Sequence, residues 1–493
     1  MKHRSLVGRC VVVLGMGLAS CSSVAINSHG AGGAAGTGAG GAAGDGAGAS
    51  AGDINIGGAA GSGVNGGTAG SGDSGGTGGS AMGGSAGSSM GGTSACDTDC
   101  PGEWTREIGT ELSDSWGYVA VDQAGNVYVA GSTAGVLPGE TALGKTDLVL
   151  RKFDPQGNEI FTRQFGTNDS DRPNGLRVDP GGNVFLVGFT LGAFPGETNQ
   201  GKADVVLLKL ASDGSTLWTR QFGTPDGDIP YDIAVDSDGS VVVVGEVDEA
   251  LPGQTYVGAP MAFVRKYSSG GEEQWTRQFG TGQTTDATAV TVDASGAVFV
   301  AGPVYGALPG QGSYGKADIY VRKYDASGVE GWTRQWGSTD GDFVYSVDVD
   351  PGGNIFLTGY IEPSTLRYTS FVYKLDTSGE EIWSKTIAGS MSVNAHRVVA
   401  DSKGNVIVAG DATGTVDGGS GQVSGIRKGF VRRFDASGQG LSTRYIYSEK
   451  GDYVNSLALG SADAAVVAGY TYGDLEGQTN AGATDLFVTR LLP

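Results

Sequence analysis

From Trp104 to the C-terminus one phrase keeps returning, and its spacing constrains the fold more than any other feature. Trp104-Thr105-Arg106 recurs as Phe161-Thr162-Arg163, Trp218-Thr219-Arg220, Trp275-Thr276-Arg277, Trp332-Thr333-Arg334, Trp383-Ser384-Lys385 and Ser442-Thr443-Arg444, at steps of 57, 57, 57, 57, 51 and 59 residues. A basic residue closing an apolar run marks the same units at Lys152, Lys209, Lys266, Lys323, Lys374, Arg433 and Arg490. Both landmarks number seven. A repeat of this length is one supersecondary unit that buries its faces only against copies of itself.

Within a unit, Gly175 to Val178 leads through Asp179-Pro180-Gly181-Gly182-Asn183 into Val184 to Gly188, which reads as a hairpin. A loop holding Phe194-Pro195-Gly196-Glu197-Thr198 precedes a second pair, Asp204 to Leu210 and Leu217 to Phe222. Four short antiparallel strands per unit and no helical pattern predict an all-β, seven-bladed β-propeller. The repeat opens on an outermost-type strand, Trp104 to Ile108, and closes on a third-type strand, Leu486 to Leu491. The last blade is therefore expected to be completed by the first strand, a 3+1 velcro closure that removes exposed edges.

These residues carry a resemblance. Trp-Thr-Arg-Gln-Phe-Gly, Asp-x-x-Gly-Asn-Val-x-Val-Ala-Gly and Leu-Pro-Gly-x-Thr are similar to the bacterial propeller repeat family abbreviated SBBP, over nearly all of residues 103 to 493. The resemblance implies the fold and no catalytic residues. The pattern departs most at Glu362-Pro363-Ser364-Thr365, just before the blade of Trp383, and in the Gly-rich loop Gly414 to Lys428, where a function private to one sector would sit.

The first 95 residues obey different rules. Lys2, Arg4 and Arg9 precede an apolar run from Cys10 to Leu18, the grammar of a secretory signal too short to span a membrane. Leu18-Ala19-Ser20-Cys21 resembles a lipobox, so residues 1–20 are expected to be removed and Cys21 lipidated; cleavage as an ordinary signal is the other reading. By analogy, Ser22 suggests the outer membrane or cell surface of a Gram-negative bacterium. Residues 21–95 follow, in which Gly30 to Ala95 has no aromatic residue, Lys or Arg. Such a segment cannot bury a core and is expected to be a disordered Gly/Ala/Ser-rich tether reaching about 45 Å. Its short glycine motifs arise from composition, because none follows a credible strand.

Residues 96–493 form the expected propeller domain, entered through Cys96 and Cys100. Those two thiols are expected to form a small disulfide in an oxidising compartment; a metal site with Asp97 and Asp99 is the alternative. The formal charge of −21 moves three units further negative once the signal is removed. Phosphate backbones and anionic headgroups are thus disfavoured as partners, leaving the lipid as the membrane contact and the propeller as a monomer.

Acids recur ten or eleven residues after the Trp position, at Asp114, Asp171, Asp228, Asp286, Asp342 and Asp452. A second set, Asp147, Asp204, Asp318 and Asp485, precedes the third strands. The first set reads either as a ring of oxygen ligands for Ca2+ at the channel mouth, or as caps that each serve their own loop or pair with the Arg of the repeat. Capping is the expectation, since a residue repeated in every blade more often builds the blade. No other cofactor is implied. His396 is the one histidine of the domain, and without a second base or nucleophile it reads as structural. The functional expectation is a surface-displayed binding or interaction scaffold for an unknown protein, glycan or cation. The alternative is a hydrolase or lyase using a divalent cation at the channel mouth; catalysis is the less favoured of the two.

Overall fold

The computed structural model describes residues 102–362, 367–417, 419 and 425–493. The signal, Cys21, the tether and Cys96 and Cys100 lie outside them. Seven four-stranded antiparallel sheets follow one another: blade 1 (114–165), blade 2 (171–222), blade 3 (228–279), blade 4 (289–336), blade 5 (341–387), blade 6 (393–446) and blade 7 (452–491). One 3-10 turn, Ser461–Asp463, interrupts an otherwise all-β pattern. Blade 7 takes its fourth strand from the other end of the chain: Trp104–Ile108 pairs antiparallel with Leu486–Arg490. The velcro closure is present.

Seven hydrophobic clusters fill the seven blade junctions, and each draws its residues from two neighbouring blades. The junction between blades 2 and 3 joins Phe185, Val187 and Leu207 to Ile233, Val243 and Phe263. The closing junction joins Trp104, Ile108, Val466 and Val488 to Val119, Val129 and Val149. Second strands are covered on both faces, which is why Val-x-Val-Ala-Gly runs are apolar throughout rather than alternating.

The recurring polar residues are architectural. Trp104 Nε1 donates to Pro155 O at 3.0 Å and Arg106 Nε to Gly157 O at 2.9 Å, each reaching the next blade. The repeat carries the same pair of bonds forward, as in Trp275 to Ala326 O and Arg277 to Gly328 O. Lys209 lies 4.9 Å over the Phe185 ring and donates to Ser269 O, also one blade on. In the Asp-x-x-Gly-Asn turn, Asp179 accepts Asn183 N at 2.8 Å while Gly182 takes φ +83°, a conformation that favours glycine.

The strand order puts the long loops, those after Trp-Thr-Arg-Gln-Phe-Gly and those with Leu-Pro-Gly, on one face of the ring. The short turns occupy the other.

Candidate functional site

Reading the innermost strands as aligned columns separates what repeats from what does not. One column is apolar in every blade: Val119, Leu176, Ile233, Val290, Val347, Val398 and Leu457, all buried. Its neighbours on the channel side differ from blade to blade, so the ring is regular in its walls and irregular in its lumen.

The irregularity begins at a β-bulge near the long-loop end of the strand. Register slips by one at Pro173/Gly175, Pro230/Asp232, Val344/Ser346, Ala395/Arg397 and Val454/Ser456, leaving Asn174, Tyr231, Tyr345, His396 and Asn455 unpaired. In blade 1 the slip spans Trp116 and Gly117. A bulge frees a side chain from the ladder's two-sided alternation and re-aims it, and bulges concentrate beside functional sites. Two residues before the unpaired one, and directly before the slip in blade 1, the strand faces a second-strand residue that also varies: Ser132, Phe189, Glu246, Tyr360, Asp411 and Tyr470.

One sector of this mouth, from blades 5 to 7, is aromatic around a charged centre. His396 Nε2 lies 2.8 Å from Asp411 Oδ1, and the other oxygen of Asp411 takes the Arg427 guanidinium. Burial alone would raise the Asp411 carboxyl, but His396 and Arg427 outweigh it and hold the group below its ordinary value. Tyr345 packs on His396 at 5.4 Å and on Tyr360 at 5.4 Å, and Tyr360 stacks on Phe343 and meets Tyr368 edge-on. On the other flank Arg427 sits 5.0 Å over Tyr453, which stacks on Tyr470 at 4.6 Å beside Tyr472.

The sector from blades 3 and 4 is acidic. Tyr231 Oη donates to Glu246 Oε1 at 2.8 Å. Asp286 beside it is pushed well above the carboxylate range by burial and then by Glu246, and Glu246 is raised, first by burial. Three buried oxygens at this level, Asn174 Oδ1, Asn455 Oδ1 and Asp286 Oδ1, have no hydrogen-bond partner.

Below the mouth the channel is bridged. Asp232 Oδ1 accepts Arg177 Nη2 at 3.2 Å and lies 4.0 Å from Arg397 Nη2, while Oδ2 accepts Val290 N at 3.2 Å. Blades 3 and 6 stand on opposite sides of a seven-membered ring, so the Asp232–Arg397 contact spans the lumen. Under it is a cavity of about 300 Å³ lined by Val121, Val178, Val235, Asp348 and Val399, with Asp348 raised to about 6 by burial.

The acids singled out from the repeat fare differently. Asp114, Asp171, Asp228 and Asp452 each start an inner strand and Asp342 is second in its own; all five are buried and accept the backbone N–H four residues back, as Asp171 does from Thr167 at 2.7 Å and Asp342 from Ser338 at 2.6 Å. Asp286 does not belong with them. Thr285 occupies that register opposite Val304, and Asp286, one position further on, is the equivalent of Ile229 of blade 3 and stands at the mouth. The six lie in different blades, and among the described residues no group of three or more His, Cys, Asp or Glu is arranged to hold a metal ion. His396 is not alone, as Asp411 partners it from the adjacent strand. The two departures from the repeat border the aromatic sector, through Glu362 and Tyr368 on one side and Arg427 on the other; residues 363–366, 418 and 420–424 lie outside the described residues.

Taken together, the velcro-closed ring and its irregular mouth define a seven-bladed β-propeller, a scaffold that fits a binding or interaction role. The chain carries the SBBP repeat, described as a beta-propeller repeat, with residues 103–138 and 217–246 matching that family. The regulatory protein FlaEY of Caulobacter vibrioides is 28% identical over 389 residues, covering 68% of this chain and 40% of that protein. The chain thus spans about two fifths of the length of the curated relative it matches. Among solved structures, the Pan2 WD40 domain of Neurospora crassa is 11% identical, with 77% of this chain and 89% of that chain covered and a TM-score of 0.43. Sqt1 from Chaetomium thermophilum is 12% identical, covering 78% and 99%, with a TM-score of 0.42. YCF48 bound to D1 peptide is 11% identical, covering 80% and 96%, with a TM-score of 0.43.

Proposed function

We propose that this protein is a binding module that takes a protein or glycan at the long-loop mouth of its propeller, displayed at a cell surface on a lipid tether. The observation that carries the reading is the contrast between columns. Positions that build the ring repeat, whereas the unpaired bulge residues (Asn, Tyr or His) and the nearby second-strand residues (Ser, Phe, Glu, Tyr or Asp) vary around the ring and gather, with Arg427, at one opening. Tyr and Asn with a few charged anchors are the composition of adaptable recognition surfaces, because a tyrosine offers a large rigid contact area with a polar tip. A regulatory relative is compatible with a module that works by binding.

The test is a screen of displayed peptides and arrayed glycans against the full-length chain and two variants. Ligands retained by the wild type should be lost by Tyr345→Ala/Tyr453→Ala and kept by Gln123→Ala/Gln156→Ala, which alters only the turn face. Ligands that bind both variants equally would place the site elsewhere. The lipid tether has its own check. Cys21→Ser should move the protein from the membrane fraction to the soluble fraction with an unchanged melting temperature; a variant that stays in the membrane fraction removes the tether from the proposal.

His396 oriented by Asp411 supports a second reading, hydrolysis or elimination at the same mouth with a divalent cation, and the same screen run with turnover as readout decides between them.

A further inference from the structure

The two sets of repeated acids meet at the blade junctions, a relation independent of the mouth and its ligand. In Asp147, Asp204 and Asp318, Oδ2 is fully used: it accepts a backbone N–H four residues back and the amide of Gln164, Gln221 or Gln335 at 2.8 Å. Asp485 Oδ2 accepts Ala481 N at 2.7 Å. In all four, Oδ1 is buried without any hydrogen-bond partner, in residues at most 1% exposed.

At three of these junctions that oxygen faces the next blade's inner-strand acid across a glycine; at the fourth, Asp485 Oδ1 lies against Gly109, and a parallel bridge between Ser113 and Thr484 brings Asp114 alongside as the equivalent bridges do at the other three. A Cβ on Gly223 would fall 2.5 Å from Asp204 Oδ1 and 2.7 Å from Asp228 Oδ2; on Gly166, 2.6 Å from Asp147 Oδ1 and 2.9 Å from Asp171 Oδ2. Gly337 stands in the same relation to Asp318 and Asp342. Asp114 is raised by burial and feels the charge of Asp485, and Asp228 is raised to about 7, first by burial and further by Asp204.

The seven junctions of one chain supply an internal comparison. Four carry both acids. Two carry neither, with Met261 and Thr285 at one and Thr369 and Val393 at the other. The seventh keeps Asp452 and has Lys428 in place of the first acid; burial raises the Asp452 carboxyl, the Lys428 charge works against that rise after the hydrogen bonds of Thr471 and Ser448, and the Lys428 ammonium lies 4.8 Å over the Tyr447 ring. No junction keeps one acid without either a second acid or a cation. Acids that only capped their own loops would be lost independently of each other, so the two act jointly.

We infer that each of the four double-acid junctions binds one hard cation of the Ca2+ class, held between carboxylates of adjacent blades, and that Lys428 replaces that cation at the fifth. Two carboxylates supply part of the oxygen shell such an ion takes, and an ion bound only by the folded ring raises its melting temperature by mass action.

The full-length chain is freed of metal with EDTA and titrated with CaCl2, with MgCl2 and NaCl as parallel probes. Bound metal is counted by equilibrium dialysis and melting followed at each concentration. About four ions per chain and a melting temperature that climbs with Ca2+ are expected. Asp204→Asn, which keeps an acceptor for Gln200 N, should lower the count by one, and Lys428→Asp should raise it by one. Asp452→Asn, in the junction already served by lysine, should leave it unchanged. A chain that retains none of the three cations, and whose stability falls as pH rises from about 4 to about 7 in a way Asp204→Asn abolishes, would show that each pair holds a proton instead and overturn the inference. So would a count that ignores both Asp204→Asn and Lys428→Asp.

Discussion

A chain beginning at Glu111 is expected to fail to form the stable ring, while one that retains Glu103 and the strand after it folds. The missing strand is only five residues long, but nothing else can replace it. Trp104 and Ile108 are 9% and 2% exposed in the cluster that joins blade 7 to blade 1, and burial of two such side chains is worth about 1.5–3 kcal/mol each. The strand also completes the ladder with Leu486–Arg490, sends Trp104 Nε1 and Arg106 Nε into blade 1, and lets Glu107 accept Leu475 N. At about 1 kcal/mol per hydrogen bond, the loss reaches the whole margin of about 5–15 kcal/mol that a domain has. It also leaves a bare edge on blade 7 open to pairing with other chains. Soluble yield and melting by circular dichroism read the result. Equal melting temperatures for the two chains would mean that the ring closes without its first strand.

That closure was readable before any coordinates, because it depends only on phase: a repeat that starts on an outer strand and stops on a third strand has one way to complete its last blade. The blade count and the turn chemistry were readable for the same reason, since seven copies average out local ambiguity. The mouth was not. Its residues occupy the columns where the copies disagree, so they form no motif. Their partnerships cross strands, as with His396 and Asp411, or cross blades, as with Tyr345 and His396. Accepting a spacing of eleven residues as well as ten was enough to place Asp286 among the repeated acids when the equivalent register belongs to Thr285, ten residues after Trp275. The signal that would have found the site is the complement of the one that found the fold: align the seven units, discard every column that repeats, and ask where the remainder falls on the inner strand.

The remainder includes Asp232, and Asp232→Ala is expected to destabilise the propeller by about 3–5 kcal/mol, the cost of removing one partner from a buried ionic group. Asp232 is 1% exposed and serves three groups from three other blades: it accepts hydrogen bonds from Arg177 of blade 2 and the Val290 amide of blade 4, and stands in an ion pair with Arg397 of blade 6. Without it, two guanidinium groups share the lumen with no intervening charge and a buried N–H loses its acceptor. Asp232→Asn should cost less, since it can still accept from Val290 N. The sharper comparison is Asp232→Leu with Arg177→Met and Arg397→Met. An apolar plug of similar volume is expected to recover most of the lost stability, because desolvating three charges offsets much of what their attraction contributes. Chemical denaturation measures all three variants. If the apolar plug is as stable as the wild type and still binds the mouth ligand, the charges serve only to fill the channel. If it is stable but no longer binds, the Arg177–Asp232–Arg397 bridge is the floor of the site, and its charges hold Tyr345, whose carbonyl takes Arg397 Nη1 at 3.0 Å, in the position the ligand meets.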